Sequence, residues 1–200
     1  MKLVSSCFEE GGMIPVECAF CAPDAQSRVT LSGNLNPDLA WSDLPAGTRS
    51  LVLVCRDCDV PGKPDDVNKE GRTIAAGVAR VDFFHWIVVD IDPRLGGIGK
   101  GSFSSEVTPK GKGGPAGPHD TRQGINDFSG WFAGDQDMGG DYYGYDGPCP
   151  PWNDSVVHRY AFTLYALDVE HCPVQGAFKG PDVLRAIQGH VLGSTTLTGR

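Results

Sequence analysis

Three stretches of the chain carry apolar side chains at consecutive positions, and each is short enough to be a strand. They are Ser50–Arg56 (SLVLVCR), Phe83–Ile91 (FFHWIVVDI) and Arg159–Leu167 (RYAFTLYAL). Alternation is weak in all three because apolar residues fall on both faces, the pattern of central strands covered from both sides. Near the C-terminus the period changes. Pro181 suits a first helical turn, and Val183, Leu184, Ile187 and Val191 recur at helical spacing, which predicts a helix that Gly189 is placed to interrupt. Between Gly96 and Val157 the chain is mostly Gly, Pro and polar residues, punctuated by Phe103, Phe128, Trp131, Phe132, Tyr142, Tyr143, Tyr145 and Trp152. A disordered segment would be poor in aromatics, so this reads as an ordered surface loop pinned by its rings.

These elements and their lengths predict a mainly β fold in one domain over residues 1–200. The 27 glycines and 15 prolines favour a loop-rich β protein over a helical bundle. A chain of 200 residues can bury a core without metal or disulfide staples. The net charge of −8 argues against nucleic acid and against an anionic membrane surface. No apolar run is long enough for a membrane-spanning helix, and the polar residues after Val4 do not form a secretory signal. The expected place is the cytoplasm, with the seven cysteines mostly reduced.

Polar residues interrupt the strands at telling places. Asp57 and Asp59 follow the first apolar run, in Arg56-Asp-Cys-Asp-Val-Pro61; His85 lies near the start of the second, and His158 opens the third. Taken singly, each has an ordinary reading: a turn-forming acid, a satisfied core histidine, a strand end. Neighbouring strands would bring them together in one pocket. Two histidines and a carboxylate could also hold iron or zinc. Cys18-x-x-Cys21 and Cys55-x-x-Cys58 have the spacing of a zinc site, although small apolar residues are the ordinary reading. Cys149 beside His158 could form a nucleophilic pair. His119, His171 and His190 fit none of these sites and read as surface or structural.

The blocks Leu51-Val-Leu-Val-Cys-Arg-Asp-Cys-Asp-Val-Pro61, Phe84-His-Trp-Ile-Val-Val-Asp90, Gly124-Ile-Asn-Asp-Phe128, Tyr145-Asp-Gly-Pro-Cys-Pro-Pro151 and His158-Arg-Tyr-Ala-Phe-Thr-Leu-Tyr-Ala-Leu-Asp168 resemble, in order and character, the phosphatidylethanolamine-binding protein family, which includes the Raf kinase inhibitor proteins. Asn36-Pro-Asp-Leu-Ala-Trp-Ser-Asp-Leu-Pro-Ala-Gly-Thr48 fits its bacterial and archaeal branch, and the resemblance runs from about residue 27 to 192. The family's Asp-Pro-Asp-Ala-Pro reads Asp57-Cys-Asp-Val-Pro61 here.

The resemblance implies a large antiparallel sheet packed with a smaller one, plus a C-terminal helix. It also implies a small-anion pocket lined by Asp57, His85, His158 and Tyr160, with Pro61 and Gly147-Pro148 as its wall. A phosphate-bearing ligand is the expected occupant: a phospholipid head group, a nucleotide or a phosphorylated partner. Asp57 would accept a hydrogen bond from one histidine and raise its pKa, so that the imidazolium holds the phosphate. The Tyr160 hydroxyl and backbone N–H groups near Gly147 would add donors. The resemblance extends to a homodimer and to a kinase or other protein partner, for which Trp131, Phe132, Tyr142 and Tyr143 would be the anchors. No cofactor is implied, and nothing in the sequence requires catalysis. The alternative is a hydrolase using a metal or Cys149 in the same pocket. The roles of residues 62–82, with Asp65, Asp66 and Glu70, stay open.

Overall fold

The computed structural model describes residues 1–200. Ten strands are present: β1 (Lys2–Val4), β2 (Cys21–Asp24), β3 (Arg28–Leu31), β4 (Leu39–Ser42), β5 (Ser50–Pro61), β6 (Arg80–Ile91), β7 (Gly97–Ile98), β8 (Arg122–Gln123), β9 (Tyr160–Leu167) and β10 (Val191–Gly199). Two short helices, α1 (Phe128–Trp131) and α2 (Gly180–Ala186), complete the fold. The main sheet runs β10-β9-β5-β6-β8, and all its pairings are antiparallel. A smaller sheet, β1-β4-β7, and a hairpin, β2-β3, stand apart from it.

The doubly apolar strands have the expected cause. On β5, Leu51, Leu53 and Cys55 join a cluster with Leu3, Leu39 and Trp41 of the smaller sheet. Val52 and Val54 point the other way, into a cluster with Phe178, Val183 and Ile187 of the segment containing α2. Successive strand side chains face opposite sides, so a strand covered on both must be apolar at every position. Trp86 and Val88 against Ile87 and Val89 repeat this split on β6.

Two element boundaries differ from the sequence expectation. The helix stops at Ala186, Gly189 takes a left-handed φ of 85°, and Val191 begins β10 rather than continuing the helix. Thr163 and Thr196 meet across β9 and β10, so β10 is an edge strand with polar side chains outward, a pattern that no apolar period marks. The strand β5 also runs past Arg56 to Pro61, so Cys58 lies within a strand.

The Gly-rich connection is ordered as its aromatics predict. Tyr142 and Tyr145 are fully buried, and Phe128 nearly so, whereas Trp131 is half exposed. Cys21 and Cys149 form a disulfide, and the other five cysteines are free thiols, so the expectation of mostly reduced cysteines misses one pair. The two are 128 residues apart, a pairing that spacing does not reveal. It joins the β2-β3 hairpin to the Pro-rich segment at 149–151. No helix is long and apolar enough to cross a membrane.

Candidate functional site

Asp57, His85 and His158 converge on one cavity of about 500 Å³. Two irregularities in the β5–β6 ladder place them. The register steps from Cys55↔Trp86 to Arg56↔Phe84, so His85 is the extra residue of a bulge and its side chain is re-aimed. A second shift, between Asp57↔Phe83 and Val60↔Val81, puts Cys58 and Asp59 opposite Asp82. On its other side Asp57 pairs with Tyr160 of β9. His158 lies two residues before Tyr160 and therefore on the same face as Asp57.

The His158 ring sits between two carboxylates. Nδ1 is 2.6 Å from Asp57 Oδ2, and Nε2 is 3.1 Å from Asp154 Oδ2. Asp57 Oδ1 accepts from the Asp59 backbone N–H at 2.8 Å. Arg80 reaches both Asp154 oxygens, at 2.5 and 3.0 Å. Burial alone would lower the His158 pKa, but the hydrogen bonds and charges of Asp57 and Asp154 outweigh it and raise the pKa. Asp154 shows the converse balance: burial acts upward, and the bonds from Arg80 and His158 hold its carboxyl below the ordinary value.

His85 has a different seat. Its Nδ1 lies 2.7 Å from the Asp146 carbonyl oxygen, which can accept only, so Nδ1 carries the hydrogen. Burial pushes the His85 pKa down, against the weaker upward pulls of Asp57 and the Asp146 carbonyl. The neutral ring is therefore the Nδ1–H tautomer, and its Nε2 is an acceptor. Among fully buried side-chain polar atoms, Tyr160 Oη alone lacks a partner. The unpartnered Nε2 of His85 thus opens to the cavity that the residue lines.

The segment presenting the Asp146 carbonyl is held by its own carboxylate. Asp146 Oδ1 accepts from Asn34 at 2.8 Å and pairs with Lys112 at 3.0 Å, while Oδ2 accepts from Asn126 at 2.7 Å. Burial lowers the Lys112 pKa despite that pairing. Lys112 also donates to the Tyr145 carbonyl.

The walls are apolar. Phe20, Val29 and Leu31 stand on one side, and Phe83, Phe128 and Phe132 on another. Pro61 lies in the wall as expected. Gly147 and Pro148 do not line the cavity; Cys149, Pro150 and Pro151 do. The Gly147 N–H is already given to Asn34 Oδ1 at 2.8 Å, and the Pro148 carbonyl accepts from Phe20 and Cys21. A side chain at Gly147 would collide with the Cys18 carbonyl, so this glycine serves close packing. Tyr160 lies in the core below the cavity, its ring edge-on to His85 with centroids 5.2 Å apart.

Sequence reasoning missed Asp146, Asp154, Asn126, Lys112 and Arg80. The one signal available was that Asp146 and Asn126 lie inside blocks already singled out. Residues 62–79 also gain a role: Pro64, Val67 and Asn68 form part of the wall. Asn153 fastens this segment, donating to the carbonyls of Asp66 and Arg72 and accepting from the Asn68 N–H.

The cysteine alternatives do not survive the geometry. Cys149 has its sulfur in the disulfide and is no nucleophile, and Cys21 is unavailable to a zinc site for the same reason. Cys55 is buried within β5. No group of three His, Cys, Asp or Glu side chains is arranged to hold a metal ion.

Comparison with known proteins agrees with this architecture. The sequence model of the phosphatidylethanolamine-binding protein family matches residues 4–200. A UPF0098 protein of Methanothermobacter thermautotrophicus is 35% identical over 200 residues, covering 100% of this chain and 97% of that protein. The UPF0098 protein YbhB of Escherichia coli is 30% identical, covering 99% and 98%. Among solved structures, a phosphatidylethanolamine-binding protein homologue from Chlamydia trachomatis superposes with a TM-score of 0.64 at 26% identity, over 98% of this chain and 94% of that one. Escherichia coli YbcL gives 0.65 at 22% identity, over 99% and 95%, a likeness of fold. The chain belongs to the phosphatidylethanolamine-binding protein family.

Proposed function

We propose that the cavity binds a small phosphate-bearing anion, with His85 as the group that meets it. The observation that carries this reading is the free Nε2 of a buried, neutral His85 beside a charge-balanced cluster. Asp57 and Asp154 contribute two negative charges, His158 and Arg80 two positive, so no net field of that cluster opposes an anion. A neutral Nε2 accepts a hydrogen bond from a singly protonated phosphate, or takes its proton and then holds the dianion by a charge-assisted bond. The apolar walls exclude water and strengthen either contact. A phospholipid head group, a nucleotide and a phosphorylated protein share this chemistry. His158 differs from expectation here: both its nitrogens are engaged, so it offers the ligand no donor in this arrangement.

The test is calorimetric titration with phenyl phosphate between pH 5.5 and 8.5. Both routes need a proton on the phosphate or on His85, so affinity rises as pH falls. His85→Asn should weaken binding and flatten the profile. An affinity independent of pH in the parent protein would overturn the reading.

The disulfide bears on where the protein acts. Such bonds persist in oxidising compartments and are rare in a reducing cytoplasm. The structure leaves five cysteines free of seven. Thiol titration of denatured, unreduced protein, trapped on lysis, should find five if the bond is present in the cell and seven if the cytoplasmic expectation holds.

A further inference from the structure

The two contacts of His158 are unequal. Asp57 is fixed by paired strands on both sides and bonds at 2.6 Å; Asp154, outside the sheets and held by a single bridge to Ile74, bonds at 3.1 Å. Two carboxylates can only accept, so both ring N–H groups donate and the ring is the imidazolium. His85 and His158 line the same cavity, so without Asp154 the charged Nε2–H of His158 would be a second group, with the open Nε2 of His85, for the oxygens of one phosphate.

Asp154 is equipped to let go. Its Oδ1 accepts from the Val156 backbone N–H at 3.1 Å and from Arg80 at 3.0 Å, and Arg80 also bonds Oδ2, the oxygen that His158 shares. Losing the imidazole would leave the carboxylate still bonded and still paired. Arg80 is itself fixed, donating to the carbonyls of Asp59 at 2.7 Å and Ala75 at 3.0 Å.

We infer that Asp154 is a built-in substitute for the ligand anion: its carboxylate caps the His158 Nε2–H, and an incoming phosphate oxygen replaces it there while Arg80 retains it. This rests on the reading of the cavity as a phosphate site. The cap is a specificity device. A ligand must offer His158 at least as good an acceptor as a carboxylate, which a phosphate oxygen does and a neutral hydroxyl does not. It also lowers apparent affinity, because the binding-competent arrangement is populated in part.

Asp154→Asn tests this directly. With its amide oxygen in the Oδ1 place the side chain keeps the Val156 N–H and one Arg80 N–H, while its amide nitrogen, a donor, faces His158 and cannot cap it, and a buried negative charge is removed. Calorimetry with inorganic phosphate should show binding about tenfold tighter than in the parent protein, a difference of about 1.4 kcal/mol. A purely supporting role for Asp154 would give weaker binding instead. Equal or weaker binding by a variant whose near-ultraviolet circular dichroism is unchanged would overturn the inference and leave the phosphate reading standing.

A second measurement needs no variant. In parent protein with 15N-labelled histidine, saturating inorganic phosphate should move the His158 Nε2 resonance as well as that of His85. Movement of His85 alone would overturn the cap and not the site, and this holds even if the variant fails to fold. Failure of both proteins to bind inorganic or phenyl phosphate at millimolar concentration would sink the phosphate reading, and the inference with it.

Discussion

The seats of His85 and His158 differ in what stands behind each ring. His85 meets a single carbonyl, that of Asp146, and is flanked by rings, Phe83, Phe128 and Tyr160, with centroids 5.0, 5.5 and 5.2 Å away. The carboxylate of Asp146 is already taken by Lys112, Asn34 and Asn126. His158 meets two carboxylates directly. Both histidines are almost wholly buried, at 3% and 2% exposure, yet their pKa values move in opposite directions. Burial is therefore common to the two, and the partners decide the charge.

The hardest blow to this comparison falls behind His85. Asp146→Ala would strip a fully buried carboxylate from Lys112, Asn34 and Asn126 together. Breaking a buried pair while leaving the partner in place costs about 3–5 kcal/mol. We expect that loss in urea unfolding, with phosphate binding lost too because the carbonyl that fixes the His85 tautomer is no longer held. A loss under 1 kcal/mol would show that the network adds little to His85.

Asp57→Asn attacks the other seat. The amide oxygen can accept at His158 Nδ1 only by giving up the Asp59 N–H, and it no longer brings a charge. A charge-assisted hydrogen bond contributes about 1.5–3 kcal/mol, and most of that should be lost. The His158 pKa, raised in the parent protein, should fall in an NMR titration while that of His85 moves much less. Equal movement of both would mean that they titrate as one coupled unit and that the two-seat description is wrong.

What the sequence made legible follows the same division. The central strands could be read because burial on both faces leaves runs such as Leu51–Cys55 with no polar position. Asp57, His85 and His158 were legible as polar exceptions inside or beside such runs, and the family resemblance singled out the same residues. The partners that set their charge were not. Asp154 sits in Trp152-Asn-Asp-Ser155, which reads as any polar turn, and its link to Arg80 spans 74 residues. The bulge at His85 leaves no compositional mark. The strand β10 was hidden for another reason: an edge strand needs few apolar residues, and Val191–Gly199 has a single well-buried large side chain, Leu197.

The opposite shifts give stability a maximum in pH. His158 has a raised folded-state pKa, so its contribution is complete below the unfolded value near 6.5 and is lost as pH rises through the folded value. His85 has a lowered pKa, so its neutral form favours the fold above about 6.5 and ceases to do so as pH falls through that window. Asp154, held low, adds to the acid side further down. Urea midpoints measured from pH 5 to 9 should therefore peak near neutrality. His158→Asn should remove the alkaline decline and leave the acid one. An alkaline decline that persists in that variant belongs to some other group.

The smallest expected effect lies between the two seats. The Tyr160 hydroxyl is buried and makes no hydrogen bond of good geometry; desolvation, and next the nearby Asp57 carboxylate, raise its pKa well above the ordinary value. An unsatisfied buried hydroxyl costs about 1–3 kcal/mol, while removing it with the shape preserved is close to neutral or stabilising. Tyr160→Phe should therefore leave stability within about 1 kcal/mol of the parent or raise it. If the ring serves only as an edge-on support for His85, phenyl phosphate affinity should change less than about twofold, which is within 0.5 kcal/mol. Weaker ligand binding with unchanged stability would instead return the hydroxyl to the ligand, as the family resemblance implied. In that case a rotation of the tyrosine toward the cavity would have to accompany binding, and the His85 seat would be the more mobile of the two.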